Sequence, residues 1–357
     1  MNVNESTSKQ IEIPYLLKIG NGKTLKIGKY LYDKGMMRVA LILGEGVDVL
    51  IGQPLRAGFL EWGVNIVHEQ VAADLNIDTI THTAFFLPPV NAVVGAGGGK
   101  ALDFAKYTAH LLKIPFISFP TAISNDGFAS PSSSLLVKGE RKSVKSGIPF
   151  GVVVDLDVIK ESPDIFLYSG IGDMLSKITA LRDWQMARDR GHARFVDFAA
   201  TLAYNSLDIL FLKHSFNIHS ESFQRSLASS LTMSGLTMEI AGSTRPASGS
   251  EHLISHALDA VCKKPKMHGI QVGVATYLCA LLQKNIHAQG IKTVFENTGF
   301  LTCVQNDPFE YNEFVRALQL APSIKRDYYT ILSEPDSFDK ALEIIKTDEF
   351  LQMVIQE

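Results

Sequence analysis

The 357-residue chain reads as two unlike parts, an α/β part with a parallel sheet over residues 1–161 and an all-α part over 162–357. Three observations predict this. Residues 92–121, AVVGAGGGKALDFAKYTAHLLKIPFISFPT, run strand, glycine turn, helix, strand, the order that builds parallel strands with right-handed crossovers. MRVALILGEG (37–46) is apolar without alternation, as a strand covered on both faces should be. Beyond residue 162 apolar residues recur at helical spacing and strand signals are few.

In chain order, IEIPYLLKIGNGKTLKIG (11–28) predicts extended segments around a Gly-Asn-Gly turn. MRVALILGEG is the first buried parallel strand, and GVNIVHEQV (63–71) a weaker second. The βαβ unit of 92–121 follows. SPSSSLLVKGERKSVKSG (130–147) is a hairpin or loop reaching over the cleft, and IPFGVVVDLDVI (148–159) is the last strand of this part. SPDIFLYSGIGDMLSKITALRDWQMARDR opens the helices, with Ser162 as cap and Pro163 at the first helical position. There is no internal repeat or low-complexity tract.

Composition narrows the function. With 46% hydrophobic and 20% charged residues the chain is far from a disordered composition. A net charge of −3 without a run of Lys or Arg argues against a nucleic-acid partner. The polar N-terminus, MNVNESTSKQIEIP, lacks an apolar signal core, and no stretch of about 18 apolar residues predicts a membrane span. Cys262, Cys279 and Cys303 have no metal-type spacing and fit a reducing cytoplasm.

Three stretches could carry chemistry. GAGGGKALD (95–103) opens a helix after a strand, so it reads either as a nucleotide-phosphate cradle at a helix N-terminus or as a structural turn. Lys100 stands where the dinucleotide fingerprint has its third glycine, and no Ser or Thr follows it as in a P-loop. PTAISNDGFASP (120–131) gathers Thr121, Ser124, Asp126 and Ser130 beyond the carboxyl end of a strand, either a ligand loop or a capped turn. In GSEHLISHALD (249–259), His252 and His256 lie one helical turn apart. With His268 in MHGIQVG and Asp173 in GIGDMLSK, two imidazoles and a carboxylate could hold a divalent metal and leave it an open position. Leu253 rules out the H-E-x-x-H protease pattern. The competing reading is ordinary histidines and an Asp173–Lys177 surface pair.

Together GGGKALD, PTAISNDGFASP, GIGDMLSK, SGSEHLISHALD and MHGIQVG resemble the glycerol-1-phosphate dehydrogenases, over about residues 15 to 290. These belong to the superfamily of iron-type alcohol dehydrogenases, glycerol dehydrogenases and dehydroquinate synthases. The resemblance implies a Rossmann-like N-terminal domain, a helical C-terminal domain as in dehydroquinate synthase, and an active site between them. It implies that Asp173, His252 and His268 hold a metal, zinc before nickel or iron, and that Asp126, Asp173 and His256 face the substrate. By the same resemblance Gly97, Gly98, Gly99, Lys100, Asp103, Thr121, Ala122, Ser124 and Ser130 line NAD or NADP. Asn125 departs from the histidine common there. The implied activity is the interconversion of glycerol-1-phosphate and dihydroxyacetone phosphate, catalysed by Asp173, His252, His256 and His268 in a homo-oligomer. The alternatives are a glycerol or small-polyol dehydrogenase, a dehydroquinate synthase-like lyase, disfavoured because those relatives carry glutamate at the position of Asp173, or a nucleotide-binding domain without catalysis. Lys145 and Arg245 are the candidate donors to a substrate phosphate.

Overall fold

The computed structural model describes residues 11–211 and 216–357; the polar stretch 1–10 lies outside the described residues. The α/β part runs β1 (Leu16–Gly20), α1 (Ile27–Tyr32), β2 (Arg38–Leu43), α2 (Gln53–Glu61), β3 (Asn65–Val71), α3 (Ile77–Phe86), β4 (Ala92–Gly97), α4 (Gly99–Leu112), β5 (Phe116–Pro120), β6 (Ser132–Val137), β7 (Glu140–Lys145) and β8 (Gly151–Asp155). Helices α5 (Leu156–Lys160), α6 (Asp164–Leu175), α7 (Lys177–Asp189), α8 (Asp197–Phe211), α9 (Glu221–Ala241), α10 (Ser250–Val261), α11 (His268–Leu282), α12 (Ala288–Thr298) and α13 (Phe300–Asn306) follow. The chain closes with β9 (Phe309–Glu310), α14 (Tyr311–Ile324), α15 (Ser337–Thr347), α16 (Glu349–Val354) and β10 (Ile355–Gln356). No helix among the described residues is long and apolar enough to cross a membrane.

Six parallel strands form one sheet in the order β1-β8-β5-β4-β2-β3. Successive residues of β2 point to opposite faces, as the two-residue strand period requires. Val39, Leu41 and Leu43 join Ile27, Leu31, Leu55 and Phe59 of α1 and α2 in one core. Ala40 and Ile42 join Phe104 and Ala105 of α4 in a second core, which continues through Ile171, Leu227, Ile254 and Val274 of the helical part. Both faces are therefore dry, which explains the unbroken apolar runs in the sequence.

The crossover from β2 carries the chain outward to β3, and the next brings it back past β2 to place β4 on the other side. The carboxyl ends of β2 and β4 thus flank the crevice where connections diverge, the usual ligand position in an open α/β sheet. The glycine turn after β4 sits at this crevice.

Three local expectations need correction. The second extended segment of residues 11–28 is instead the start of helix α1; Gly28 lies so close to α2 that a Cβ would come 2.0 Å from the Gly58 carbonyl oxygen, and this close packing outweighs the strand-like composition. The last strand ends at Asp155, whose side chain caps α5 by accepting from the Asp157 amide, so Leu156–Ile159 are helical. Pro163, not Ser162, is the N-cap of α6, while the Ser162 hydroxyl donates backwards to the Ile159 carbonyl. The 130–147 stretch is a hairpin, β6 paired antiparallel with β7.

Close helix packing brings α6 to α11. A Cβ on Gly172 would sit 2.0 Å from the Gly269 carbonyl oxygen, and one on Gly269 would sit 1.9 Å from the Ser169 carbonyl oxygen. These glycines adjoin Asp173 and His268, so the missing side chains let these two residues meet. Gly172→Ala should force the helices apart and destabilise the fold by about 2 kcal/mol, the usual scale of overpacking. A lowered urea midpoint checks this; an unchanged midpoint would show that the contact yields freely.

Candidate metal centre and active site

Asp173, His252 and His268 come from α6, α10 and α11 and converge, each offering one ligand atom within 4.8 Å of the others. Asp173 Oδ1 lies 3.5 Å from His252 Nε2 and 4.0 Å from His268 Nε2. The carboxylate is fully buried, so Asp173 and Lys177 are not the surface pair that spacing alone allowed.

Hydrogen bonds fix both imidazoles with Nε2 toward the shared point. His252 Nδ1 lies 2.9 Å from Glu251 Oε1, and since a carboxylate only accepts, Nδ1 carries the proton. His268 is fixed through a relay of Asp259, Gln271 and Ser255. Gln271 donates its amide nitrogen to Asp259 Oδ1 at 3.2 Å, which turns Gln271 Oε1 toward Ser255. The Ser255 hydroxyl donates to that oxygen at 2.6 Å, leaving its lone pair to accept from His268 Nδ1 at 3.2 Å. Both Nε2 atoms and one carboxylate oxygen therefore face one another, a set that could hold a divalent ion backed by carboxylate and hydroxyl partners.

The charges agree. Burial alone would raise the Asp173 carboxyl, but Lys177, His252 and His268 together hold it below the ordinary carboxylate range. Burial would lower His252, yet Asp173 and Glu251 push it up to about 9. Burial and the neighbouring His252 push His268 down to about 3. Without a cation the cluster thus retains a proton on His252, where a cation would bind in its place.

Lys177 has no exposed surface and bridges two carboxylates, 3.1 Å from Asp126 Oδ2 and 3.3 Å from Asp173 Oδ2. Asp126 also accepts from Ser234 at 2.6 Å, and its backbone amide donates to Asp173 Oδ2 at 3.0 Å. Gly235 makes this contact geometrically feasible, because a Cβ there would come 2.5 Å from the Ala129 carbonyl group. Asp126 Oδ1 has no hydrogen bond among the described residues, so it is free to meet a ligand. His256 keeps one edge in solvent while the protein around the site surrounds the rest, with its ring 5.9 Å from that of His268. Desolvation of the ring, then the charges of His252, Arg141 and Lys325, push it down to about 4.

At the crevice Gly97 is buried with φ +150, and Gly98 and Gly99 are exposed with open space where side chains would stand. The free amides of the 14-residue helix α4 open into that space, so the turn can receive a phosphate as well as shape the chain. Lys100 spans the crevice, 3.6 Å from Glu45 beyond β2. Thr121 donates its amide to the Gly97 carbonyl at 3.1 Å, which places Thr121 and Ala122 beside the turn. Two residues point elsewhere. Asp103 pairs with buried Lys106 at 3.3 Å and accepts from the Ser134 amide at 3.1 Å. The Ser130 hydroxyl donates to the Gly127 and Ser132 carbonyls. Ser124 is half-buried and accepts from Ser169 through its carbonyl.

Sequence reasoning missed Glu251, Ser255, Gln271 and Ser234. The spacing of Gln271 three residues after His268, and of Ser255 three after His252, was the available signal.

A sequence profile described as iron-containing alcohol dehydrogenase matches residues 18–163. A glycerol-1-phosphate dehydrogenase [NAD(P)+] of Metallosphaera sedula is 34% identical, covering 91% of this chain and 93% of its own. One from Methanosarcina acetivorans is 32% identical over 97% of this chain and 99% of its own. The fold matches the crystal structure of glycerol dehydrogenase from Schizosaccharomyces pombe with a TM-score of 0.75 at 21% identity, over 98% of this chain and 92% of that one. The chain therefore belongs to the glycerol-1-phosphate dehydrogenase family of iron-containing alcohol dehydrogenases.

Proposed function

We propose that the protein is a metal-dependent NAD(P) oxidoreductase interconverting sn-glycerol-1-phosphate and dihydroxyacetone phosphate. The observation that carries this is the convergence of Asp173 with two imidazoles whose Nε2 lone pairs are held toward one point, in a chain whose relatives bear that name. In this reading residues 1–161 bind the dinucleotide and 162–357 supply metal and substrate groups. Zinc suits one carboxylate and two imidazoles, with nickel or iron as substitutes. The three cysteines are free thiols, in keeping with a cytoplasmic site of action.

When bound, the divalent ion would polarise the substrate oxygen while the nicotinamide carries the hydride. The chain's own groups do the rest. Asp173, His252 and His268 would hold the ion, and Glu251 and Ser255 keep the rings turned toward it. Lys177 lies between the Asp126 and Asp173 side chains and shares its positive charge between them. Asp126 Oδ1 is placed to accept a substrate hydroxyl. With a pKa of about 4, His256 is neutral near pH 7 and serves as a hydrogen-bond partner to substrate better than as an acid. The Gly98–Gly99 amides would take the pyrophosphate, beside Lys100, Thr121 and Ala122. The contacts that Asp103 and Ser130 make give them the task of shaping this wall.

A coupled NADH and NADPH assay across dihydroxyacetone phosphate, dihydroxyacetone and glycerol tests the reading. Dihydroxyacetone phosphate should give the highest kcat/KM, and net cofactor oxidation separates the activity from that of a lyase. His252→Ala and His268→Ala should each lose the metal and on the order of a thousand-fold in kcat, the scale of several kcal/mol of charge stabilisation. Full turnover by either variant in metal-free buffer contradicts the reading.

Metal uptake should also depend on pH. His252 keeps its proton up to about 9 in the metal-free site, and a cation on Nε2 must displace it. Apparent zinc affinity should then fall about tenfold for each pH unit below that point, with a proton released on binding. Calorimetry in buffers of differing ionisation enthalpy reads that proton; uptake without proton release near neutrality contradicts the assignment.

A further inference from the structure

Two cations lie together on one aromatic ring beside the proposed active site. The Arg245 guanidinium is 3.6 Å from the Tyr328 ring centroid, and Lys325 Nζ is 3.9 Å from the same centroid. Arg245 is buried and donates to the Tyr329 carbonyl at 2.6 Å, while Lys325 donates to the Thr244 hydroxyl at 3.2 Å. Neither has a carboxylate at ion-pair distance among the described residues; Asp183 acts on Arg245 only from farther away. Desolvation of the ammonium and the nearby guanidinium pull Lys325 down to about 8. Two like charges held together without an acid are unfavourable as they stand, and an anion would relieve both.

The pair is tied to the residues of the site. The Tyr328 hydroxyl donates to the Ser248 carbonyl at 2.6 Å, directly before α10. That helix carries His252 and His256, and α14 packs along it so that Lys325, at the end of α14, lies near its start. The charge of Lys325 reaches His256, and so does that of Arg141. Arg141 comes from the other wall, on the β6–β7 hairpin, where its Nε donates to Ser134 at 2.7 Å. Lys145 sits on the same hairpin at the far end of the ladder, exposed and opposite Ser132, with no such influence on His256.

We infer that Arg245 and Lys325 form an anion subsite that takes the substrate phosphate and sets the preference for a phosphorylated over a free polyol. This rests on the phosphorylated-substrate reading above and names the groups responsible for it. The shared Tyr328 ring holds the two cations in place before substrate arrives, so little ordering remains to be done on binding.

The test compares kcat/KM for dihydroxyacetone phosphate with that for dihydroxyacetone in the full-length, metal-loaded enzyme. Lys325→Met should lower the ratio about 10- to 100-fold, the scale of a charge-assisted hydrogen bond, mainly through KM for the phosphate. Lys325→Arg should restore most of it. A merely structural role would lower both substrates together and leave the ratio intact, which overturns the inference. Calorimetric titration with inorganic phosphate provides a second readout. Wild-type enzyme should bind it, and Lys325→Met should bind it at least about tenfold more weakly; equal binding overturns the inference. Wild-type enzyme without preference for dihydroxyacetone phosphate defeats the parent reading, and the phosphate titration still decides the subsite.

Discussion

The structure turns on one buried carboxylate. Moving an ion of that kind out of water costs several kcal/mol even after relaxation, so Asp173 is tolerable only if its surroundings return comparable stabilisation. They do so on both oxygens: Oδ1 faces the two imidazoles, and Oδ2 takes Lys177 and the Asp126 amide. Those partners come from α7, α10, α11 and the loop after β5, so satisfying one side chain of α6 joins the sheet to the helices. A group that integrates the fold in this way is also the carboxylate that the two imidazoles face.

Chemistry and packing are coupled by the same device at several points. The glycines beside Asp173, Ser234 and His268 allow backbones to approach closer than any side chain would permit. The sheet contributes position: the diverging connections of β2 and β4 open a crevice, and the glycine turn presents helix amides to it. The β6–β7 hairpin then brings Arg141 to act on His256 and Asp259, groups of the helical part.

Much of this was legible in the chain. The βαβ run, the helical texture beyond residue 162 and the histidines one turn apart all reflect local periodicity, which survives folding. What was not legible depended on distant partners. Lys177 looks like a surface residue until α7 buries it against Asp126, about 50 positions upstream. Glu251 adjoins His252, and neighbours on a helix do not normally face each other; in the first turn of α10 the Glu251 carboxylate folds back to the amide of Gly249, the non-helical residue before the helix, and meets the ring from there. The segment after the Gly-Asn-Gly turn looked extended because its β-like composition gave no sign of the α2 backbone waiting beside Gly28. The cation pair on Tyr328 brings together residues about 80 apart, which no spacing rule connects.

Whether Asp173, His252 and His268 share one divalent cation is measured directly by X-ray absorption at the metal edge of zinc-loaded protein. The expected spectrum has a shell of nitrogen and oxygen at about 2.0–2.2 Å, with outer scattering from two imidazoles and none from sulfur. A spectrum with thiolate sulfur, or with water oxygens and no imidazole, would contradict it.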